Sequence, residues 1–160
     1  MSTITTASGL IIPKLRDYWP GQGGRFVGLH PLGGFAIAAE KFLENEYEFG
    51  LYGKKLEGFS DIDGAENTRK LIELGSPAAK AAAEYMADGH SDFYLPAHRE
   101  MQQTGAVLGF DEDGPAAWTS TPYGSDLAWA LDFEYGYVYA WHRSNELAVL
   151  LVRRFIPSSL

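Results

Sequence analysis

The chain has 160 residues and no cysteine, and 46% of its residues are hydrophobic against 21% charged. This composition is typical of one folded globular domain, and the lack of cysteine excludes disulfides, thiolate zinc sites and cysteine nucleophiles. The formal net charge of −8 disfavours nucleic-acid binding, because neutralising phosphates requires clustered Lys and Arg.

The first eight residues are small and polar. They predict an extended arm at 1–8, followed by one domain over 9–160. They lack the basic and apolar regions of a signal peptide, and the chain has no run of about 18 apolar residues. We therefore expect a chain that is made in the cytoplasm and inserts into no membrane.

Short strands and turns are predicted over the first third of the chain. Residues 9–13 form an apolar run that ends at proline and predict the first strand. The glycine-dense segment 19–24 lacks the Gly-Lys-Ser/Thr ending of a phosphate loop, so we interpret it as a turn into a strand at 25–29. A strand at 33–39 is expected to pair back on this strand. Residues 46–52 alternate between polar and apolar, which predicts a half-buried strand.

Two helices follow, and each has a recognisable start. The first is predicted over 65–74, with Asp63 or Gly64 near its start and Gly75 as its stop. The second is predicted over 78–87, because Ser76 is a good N-cap and proline follows it at the first helical position. The alanine-rich second helix is expected to pack closely against a neighbour.

A third helix and a group of strands complete the predicted domain. The helix is expected over 96–103, with Gly105 as its stop. Alternation of apolar and polar residues predicts strands at 129–134 and 137–142, joined by a glycine turn, and a last strand at 146–155.

The segment from Trp118 to Tyr123 is predicted to be a turn. Ser120 and Thr121 are expected to hydrogen-bond within that turn. Trp118 and Trp129 are large apolar residues and are predicted to lie in the core.

Several short motifs in this chain are shared with a known family. They are Gly89–Pro96, Trp118–Thr121, Ala128–Trp129, Asp132–Phe133, Gly136 and Val152–Phe155. Through them the chain resembles the Lcl C-terminal (DUF1566) family, whose C-type-lectin-like fold is related to that of formylglycine-generating enzymes. It is also similar to the variable proteins of diversity-generating retroelements. Tyr18–Gly24 and Asn67–Thr68 resemble the versions of the family that are common in tailed phages and prophages.

The resemblance implies a fold and a few residue roles. The fold is an α+β domain of C-type-lectin-like type, with short antiparallel sheets and two to three helices. Asp92 would accept backbone N–H bonds in a buried turn. Arg153 or Arg154 would pair with a carboxylate such as that of Asp92 or Asp132, the alternative being a solvated charge.

Three departures from the related families bear on activity. The chain has no cysteine for formylglycine chemistry. It has neither the Glu-Pro-Asn or Gln-Pro-Asp motif nor the Trp-Asn-Asp motif with which sugar-binding C-type lectins hold calcium. Retroelement variable proteins are rich in asparagine in their last strands, where this chain has only Asn145. We therefore expect neither the enzyme activity, nor the lectin calcium site, nor active diversification.

Acidic and histidine residues are interpreted as structural. The loop 61–67 has alternating oxygen ligands but lacks the distal Glu of an EF-hand, so we favour helix capping over calcium binding, which stays the alternative. Residues 111–114 predict a solvated acidic turn. The histidines have no metal-ligand spacing, and His98 and Glu100 have no nucleophile placed with them. We expect no catalytic residue, no metal and no cofactor.

An aromatic group in the last third of the chain is the candidate binding site, because tyrosine and tryptophan give large contact areas at low entropy cost. Tyr123 and Tyr135 are expected in turns and exposed. Tyr137, Tyr139 and Trp141 are expected on one strand face. That face is either a recognition surface or packs against the N-terminal sheet or a neighbouring subunit. The residues that flank the group are Asp126, His142, Ser144 and Asn145.

The expected function is therefore that of a non-enzymatic binding or assembly module. The resemblance to phage versions suggests a virion protein of the tail tip, fibre or capsid decoration, made in the host cytoplasm. Its expected partners are a host surface glycan or protein, or other virion subunits, and a homo-oligomer is expected. The alternative is an intracellular phage effector, an acidic protein that inhibits a basic host defence complex.

Overall fold

Three helices and several short antiparallel sheets form a mixed α+β chain in the computed structural model, which describes residues 3–7 and 9–157. The helices are α1 (Gly64–Leu74), α2 (Pro77–Ala83) and α3 (His98–Leu108). The strands are β1 (Ile4–Thr5), β2 (Ile11–Ile12), β3 (Tyr18–Trp19), β4 (Gly24–Leu29), β5 (Phe35–Ala39), β6 (Tyr47–Glu48), β7 (Ala116–Tyr123), β8 (Leu127–Asp132), β9 (Val138–His142), β10 (Glu146–Leu147) and β11 (Val152–Phe155). The predicted α+β class is confirmed.

The predicted N-terminal arm has structure in its described part. Ile4 and Thr5 form β1, which pairs antiparallel with β2 inside the predicted strand 9–13. Met1, Ser2 and Ser8 of the arm lie outside the described residues.

A four-stranded antiparallel sheet of order β11-β5-β4-β3 joins the two ends of the described chain. The predicted pairing of strands 25–29 and 33–39 is confirmed as β4 against β5. The C-terminal strand β11 adds to the other edge of β5, with Arg154 opposite Ala36. One face of this sheet has its own aromatic core, in which the Trp19 ring contacts Phe26, Phe35 and Phe155 edge-on at 5.3–5.4 Å.

The predicted caps of the first two helices are confirmed. The Asp63 carboxylate accepts a hydrogen bond from the Glu66 N–H, and Gly75 ends α1 with φ of 97° in the left-handed region. The Ser76 hydroxyl accepts from the Ala79 N–H at the start of α2. This helix ends at Ala83, earlier than predicted. The chain then forms a tight turn, in which Ala87 and His90 bond each other through their backbone groups.

The third helix runs past its predicted stop. Gly105 lies inside α3, because the helix packs so closely on the C-terminal sheet that a Cβ there would come within 2.4 Å of Leu131 Cδ2. The helix instead ends at Gly109, whose φ is 83°. Glycine at 105 therefore serves close packing rather than termination.

The C-terminal sheet has the order β7-β8-β9 and contains the segment that was predicted to be a turn. That prediction was wrong, since Trp118–Tyr123 belongs to β7, which is buried between α1 and the rest of the sheet. The Thr121 N–H bonds locally, to the Thr119 hydroxyl, but the hydroxyl groups of Ser120 and Thr121 bond to other segments. The Ser120 hydroxyl accepts from Asn67 Nδ2, and the Thr121 hydroxyl donates to the Ser60 carbonyl.

Two predicted strands are shorter than expected. The segment 46–52 contributes only the two residues of β6, and 146–155 is divided into β10 and β11. β10 pairs with β6, whereas β11 pairs with β5 in a different sheet. Within the described residues, no helix is long and apolar enough to cross a membrane.

Two tryptophans of the main core are expected to respond differently to replacement by phenylalanine. Trp118 is fully buried and donates its Nε1–H to the Tyr47 carbonyl at 2.8 Å, so Trp118→Phe should cost about 1–3 kcal/mol of unfolding free energy. Trp141 Nε1 is buried without a hydrogen-bond partner among the described residues. Trp141→Phe should therefore change stability by less than about 1 kcal/mol, because the lost contact area is offset by removing an unpaired donor.

Urea unfolding of the two variants beside the parent chain measures this difference. Equal losses would contradict the assigned roles of the two indole N–H groups.

Candidate functional site

The aromatic residues predicted to form one surface lie in two groups at opposite ends of β9. Tyr135 and Tyr137 lie in the turn between β8 and β9, and Tyr139 is the second residue of β9. Their ring centroids are 6.5 and 5.9 Å apart in succession. They are 65%, 59% and 45% exposed. We call these three residues the tyrosine ridge.

The turn that carries the ridge is fixed by its own hydrogen bonds. The Asp132 side chain accepts from the Glu134 N–H, and the Asp132 carbonyl accepts from the Gly136 N–H, both at 2.8 Å. Gly136 has φ of 80°, and a Cβ there would come within 2.8 Å of the Phe110 ring. Glycine therefore lets the ridge turn close over the Phe110 ring.

Tyr123 belongs to a separate aromatic stack at the other end of the sheet. The His98 ring lies parallel to the Trp129 ring, with centroids 4.9 Å apart and an interplanar angle of 17°. Tyr123 contacts the same indole at 4.8 Å and is 52% exposed, as predicted, although it ends a strand rather than lying in a turn. Trp129 is half-buried in this stack, so its predicted core position is wrong.

The stack gives a prediction on pH. Partial burial lowers the pKa of His98 below its ordinary value of 6.5. The unfolded chain then binds the proton more readily, so the stability due to the neutral ring is complete above pH 6.5 and declines as pH falls through the folded-state pKa. We expect an NMR titration of His98 to give a pKa below 6.5.

His98→Gln is the matched variant for this prediction, because it keeps a polar side chain without a titrating ring. Its urea stability should fall less between neutral and mildly acidic pH than that of the parent chain. An unshifted or raised pKa for His98 would contradict the prediction.

The flanking polar residues of the candidate site shape the loops at the Tyr123 end. Asp126 Oδ1 accepts from the Gly53 N–H at 2.8 Å. His142 Nδ1 lies 2.7 Å from the Ser144 hydroxyl, and Asn145 Nδ2 donates to the His142 carbonyl at 2.9 Å. These side chains are exposed but take part in hydrogen bonds, so they define the shape of the surface.

Trp141 is not part of the tyrosine ridge. It is half-buried and packs on the main hydrophobic core, while Tyr137 and Tyr139 are exposed. Of the predicted face, two tyrosines are thus open to a partner and the tryptophan is engaged in packing.

A buried polar cluster around Glu100 had no counterpart in the predictions. Glu100 Oε2 accepts from His30 Nε2 and from the Tyr94 hydroxyl, both at 2.5 Å. Oε1 accepts from the N–H groups of Gly64 and Ala97 at 2.8 and 2.9 Å. His30, Tyr94 and Glu100 are at most 5% exposed, and burial raises the pKa of Tyr94. This enclosed arrangement supports a structural role.

Arg143 is a second buried charge that sequence reasoning missed. Its guanidinium is inaccessible to solvent and donates four hydrogen bonds to the carbonyls of Leu51, Lys54, Gly124 and Leu127. Burial lowers the pKa of Arg143. The side chain ties the loop at 51–54 to the turn between β7 and β8.

One predicted ion pair is confirmed, with a correction to its setting. Arg153 Nε donates to Asp92 Oδ1 at 2.6 Å. Asp92 is exposed rather than in a buried turn, and its partner arginine is the buried member. Arg153 also donates to the Gln22 side chain, so the pair anchors the glycine-dense turn against the last strand.

The acidic segments show no metal centre in the described part of the chain. Asp63 caps α1, which is the interpretation favoured for the loop 61–67. Residues 111–114 form an exposed turn closed by the Asp111 carbonyl and carboxylate. Among the residues that the structure describes, no three His, Asp or Glu side chains are grouped to hold a metal ion.

Comparison with known proteins gives no relative, because no family model and no curated protein matches the chain. The function must therefore be inferred from the geometry of the chain itself.

Proposed function

We propose that this chain is a non-enzymatic binding or assembly module of a tailed-phage particle, in the tail tip, fibre or capsid decoration. Its tyrosine ridge would contact a host surface glycan or protein, or a neighbouring virion subunit. The observation that carries the proposal is the exposure of three neighbouring tyrosines, on a hydrogen-bonded turn and the strand that follows it. Tyrosines held in this way offer contact area while losing little conformational entropy on binding.

The finer fold assignment, to a C-type-lectin-like domain of the DUF1566 type, belongs to the same proposal. It is supported by the pairing of β11 with β5, which brings the two ends of the described chain together. It is also supported by the packing of the C-terminal sheet on α3 and α1. The phage setting rests on the resemblance of the sequence motifs.

The neighbourhood of the ridge indicates which ligands it suits. The exposed acidic turn at 111–114 follows Phe110, the residue on which Gly136 of the ridge turn packs. An acidic turn next to the ridge turn favours a ligand with hydroxyl or cationic groups and disfavours an anionic one. A neutral glycan or a basic protein segment meets that requirement.

Replacing Tyr135, Tyr137 and Tyr139 together by alanine tests the ridge. We expect at least about a tenfold loss of adsorption to host cells, or of incorporation into particles, because aromatic anchors carry most of the binding energy of such surfaces. The three side chains are exposed, so the far-UV circular dichroism spectrum and melting temperature should stay close to those of the parent chain.

Tyr52→Ala is the matched control for this experiment. Tyr52 is 54% exposed, comparable to the ridge tyrosines, and contacts His142 at the opposite end of β9. It should leave adsorption and incorporation unchanged. Unchanged binding of the triple variant would reject the ridge as the site.

The particle setting has a separate test. Mass spectrometry of purified particles should detect peptides of this chain at structural stoichiometry. Their absence from particles, together with their presence in infected cells, would favour the intracellular effector instead.

A further inference from the structure

The N-terminal end of the molecule exposes an apolar surface with basic residues around it. Ile4, Leu15 and Leu29 are 65%, 53% and 72% exposed and line one groove, to which Lys14 contributes the charged side chain. Arg16 is exposed next to Leu15 in the chain. We call these five residues the basic patch. Large aliphatic side chains concentrated in this way typically mark an interaction surface.

A second groove has the opposite character. Its lining includes the half-buried ring of Phe42 and the side chains of Pro115, Glu44, Glu46 and Glu146. We call these five residues the acidic groove. It adjoins a smaller cleft that also contains Phe42 and adds the carboxylates of Glu40 and Asp111. No lysine or arginine is among the described residues that line either one.

The same opposition of charge runs through the whole sequence. Residues 1–39 and 153–160 hold five Lys or Arg and one carboxylate, whereas residues 40–152 hold eight Lys or Arg and 20 carboxylates. The smaller part therefore carries a formal charge of +4 and the larger part −12, which together give the net charge of −8. A surface that combines exposed aliphatic side chains with positive charge is complementary to one that combines an apolar floor with negative charge.

The two surfaces lie at opposite ends of β5. Phe35, the first residue of this strand, lines the groove of the basic patch, while Glu40 and Phe42 follow its last residue and belong to the acidic side. A single copy cannot bring its own patch into its own groove across a folded sheet.

We propose that the basic patch of one copy binds the acidic groove of the next, so that copies associate head to tail. This rests on the assembly role proposed above and deepens it by naming the partner as a second copy of this chain. Each contact leaves one free patch and one free groove, so growth continues until a ring closes or a filament forms. Because the attraction is partly between exposed charges, it weakens with ionic strength.

Sedimentation velocity of the full chain measures the association. The weight-average mass should rise beyond that of a dimer as concentration increases at low salt, and should fall again when salt is added. A mass that stays at the monomer, or that stops at a two-fold dimer, would overturn the proposal.

Charge exchange identifies the surfaces. Lys14→Glu with Arg16→Glu makes the patch repel the groove, and Glu44→Lys with Glu46→Lys makes the groove repel the patch. Each double variant alone should associate at least about tenfold more weakly than the parent chain. An equimolar mixture should regain association, because both of its mixed contacts pair opposite charges.

Glu73→Lys with Lys80→Glu is the control, since both residues are exposed on α1 and α2 and neither lines the basic patch or the acidic groove. It should associate like the parent chain. If the mixture of the two double variants stays dissociated while each remains folded by circular dichroism, the assigned surfaces are wrong.

The ridge triple variant separates this inference from the proposed function. It should still self-associate, because the tyrosine ridge belongs to neither surface. Self-association of a chain that never enters particles would leave the head-to-tail contact standing and reject the virion role. If a strictly monomeric chain still adsorbs to host cells, the virion role would stand and the head-to-tail contact would be rejected.

Discussion

Replacing Arg143 with methionine is expected to lower the free energy of unfolding by about 3–5 kcal/mol, because four carbonyl groups lose their donor and each unsatisfied buried group costs about 1–3 kcal/mol. Methionine matches much of the aliphatic length of the side chain but donates no hydrogen bond. The carbonyls of Leu51, Lys54, Gly124 and Leu127 would each lose a donor at 2.6–3.0 Å. A domain of ordinary stability has only about 5–15 kcal/mol in total, so this loss is large.

The geometry explains why lysine should not replace this arginine. The guanidinium of Arg143 presents donors on three nitrogen atoms, and all three are used toward carbonyls from different segments. A lysine ammonium concentrates its donors on one atom and is more strongly hydrated. Arg143→Lys should therefore recover only a minor part of the stability lost in Arg143→Met.

Arg69→Met is the control, because Arg69 is also paired twice but is 55% exposed. Exposed ion pairs contribute little, so its loss should be far smaller than that of Arg143→Met. Urea unfolding monitored by tryptophan fluorescence measures all three variants. Equal stability of Arg143→Met and Arg69→Met would show that the loop at 51–54 does not depend on the guanidinium.

Loss of the Arg143 side chain is expected to affect the surface of the domain as well as its core. Arg143 follows His142 directly and holds the turn that precedes Leu127, so its loss should loosen the Tyr123 end of the sheet first. The tyrosine ridge, at the other end of β9, should be less affected. Hydrogen exchange of the amides around Gly53 and Gly124 should rise more than that of Gly136.

What could be predicted from the sequence was local in origin. The caps at Asp63, Ser76 and Gly75 follow from the preferences of a few neighbouring residues, and they are confirmed. Gly105 misled the helix prediction, because glycine is chosen there for the approach of Leu131, which is 26 positions away in the chain. A stop signal and a close-packing signal are the same residue type in the sequence.

In the candidate site, too, some features follow from neighbouring residues and others from contacts between distant segments. The exposure of Tyr135 follows from its glycine turn, which the sequence displays. Period-two alternation placed Tyr139 and Trp141 on one face, but it does not tell which of them meets the core. Trp118 was correctly expected to be buried, while Trp129 takes part in a half-buried stack because His98 comes to it from another element. Contacts between distant segments decide such cases.

Glu100 is the clearest example of a residue whose role the sequence hides. The histidine two positions before it, His98, stacks on Trp129, whereas its actual partner His30 is 70 positions away. One local signal was available, since a Glu at the third position of a helix often accepts the N–H before that helix. Glu100 does this with Ala97 and also reaches three further donors.

Glu100→Gln is expected to cost about 2–4 kcal/mol of unfolding free energy, because a buried group then faces donors without accepting from them. The amide oxygen can replace Oε1 toward Gly64 and Ala97, but the amide nitrogen would stand where Oε2 accepts from His30 and Tyr94. His30 cannot simply shift its proton, because its Nδ1 accepts from a backbone N–H. The network therefore discriminates a carboxylate from an amide of the same size.

Tyr94→Phe and Glu73→Gln are the comparison variants for Glu100→Gln. Tyr94→Phe removes one donor and leaves Glu100 with three, so its cost should be nearer to about 1 kcal/mol. Glu73 is exposed on α1, and its amide variant should unfold like the parent chain. In a double-mutant cycle, Glu100→Gln and Tyr94→Phe should be strongly non-additive, because they remove the two ends of the same contact. Additive losses, or a Glu100→Gln variant as stable as Glu73→Gln, would mean that the carboxylate does not join the β4–β5 turn to the starts of α1 and α3.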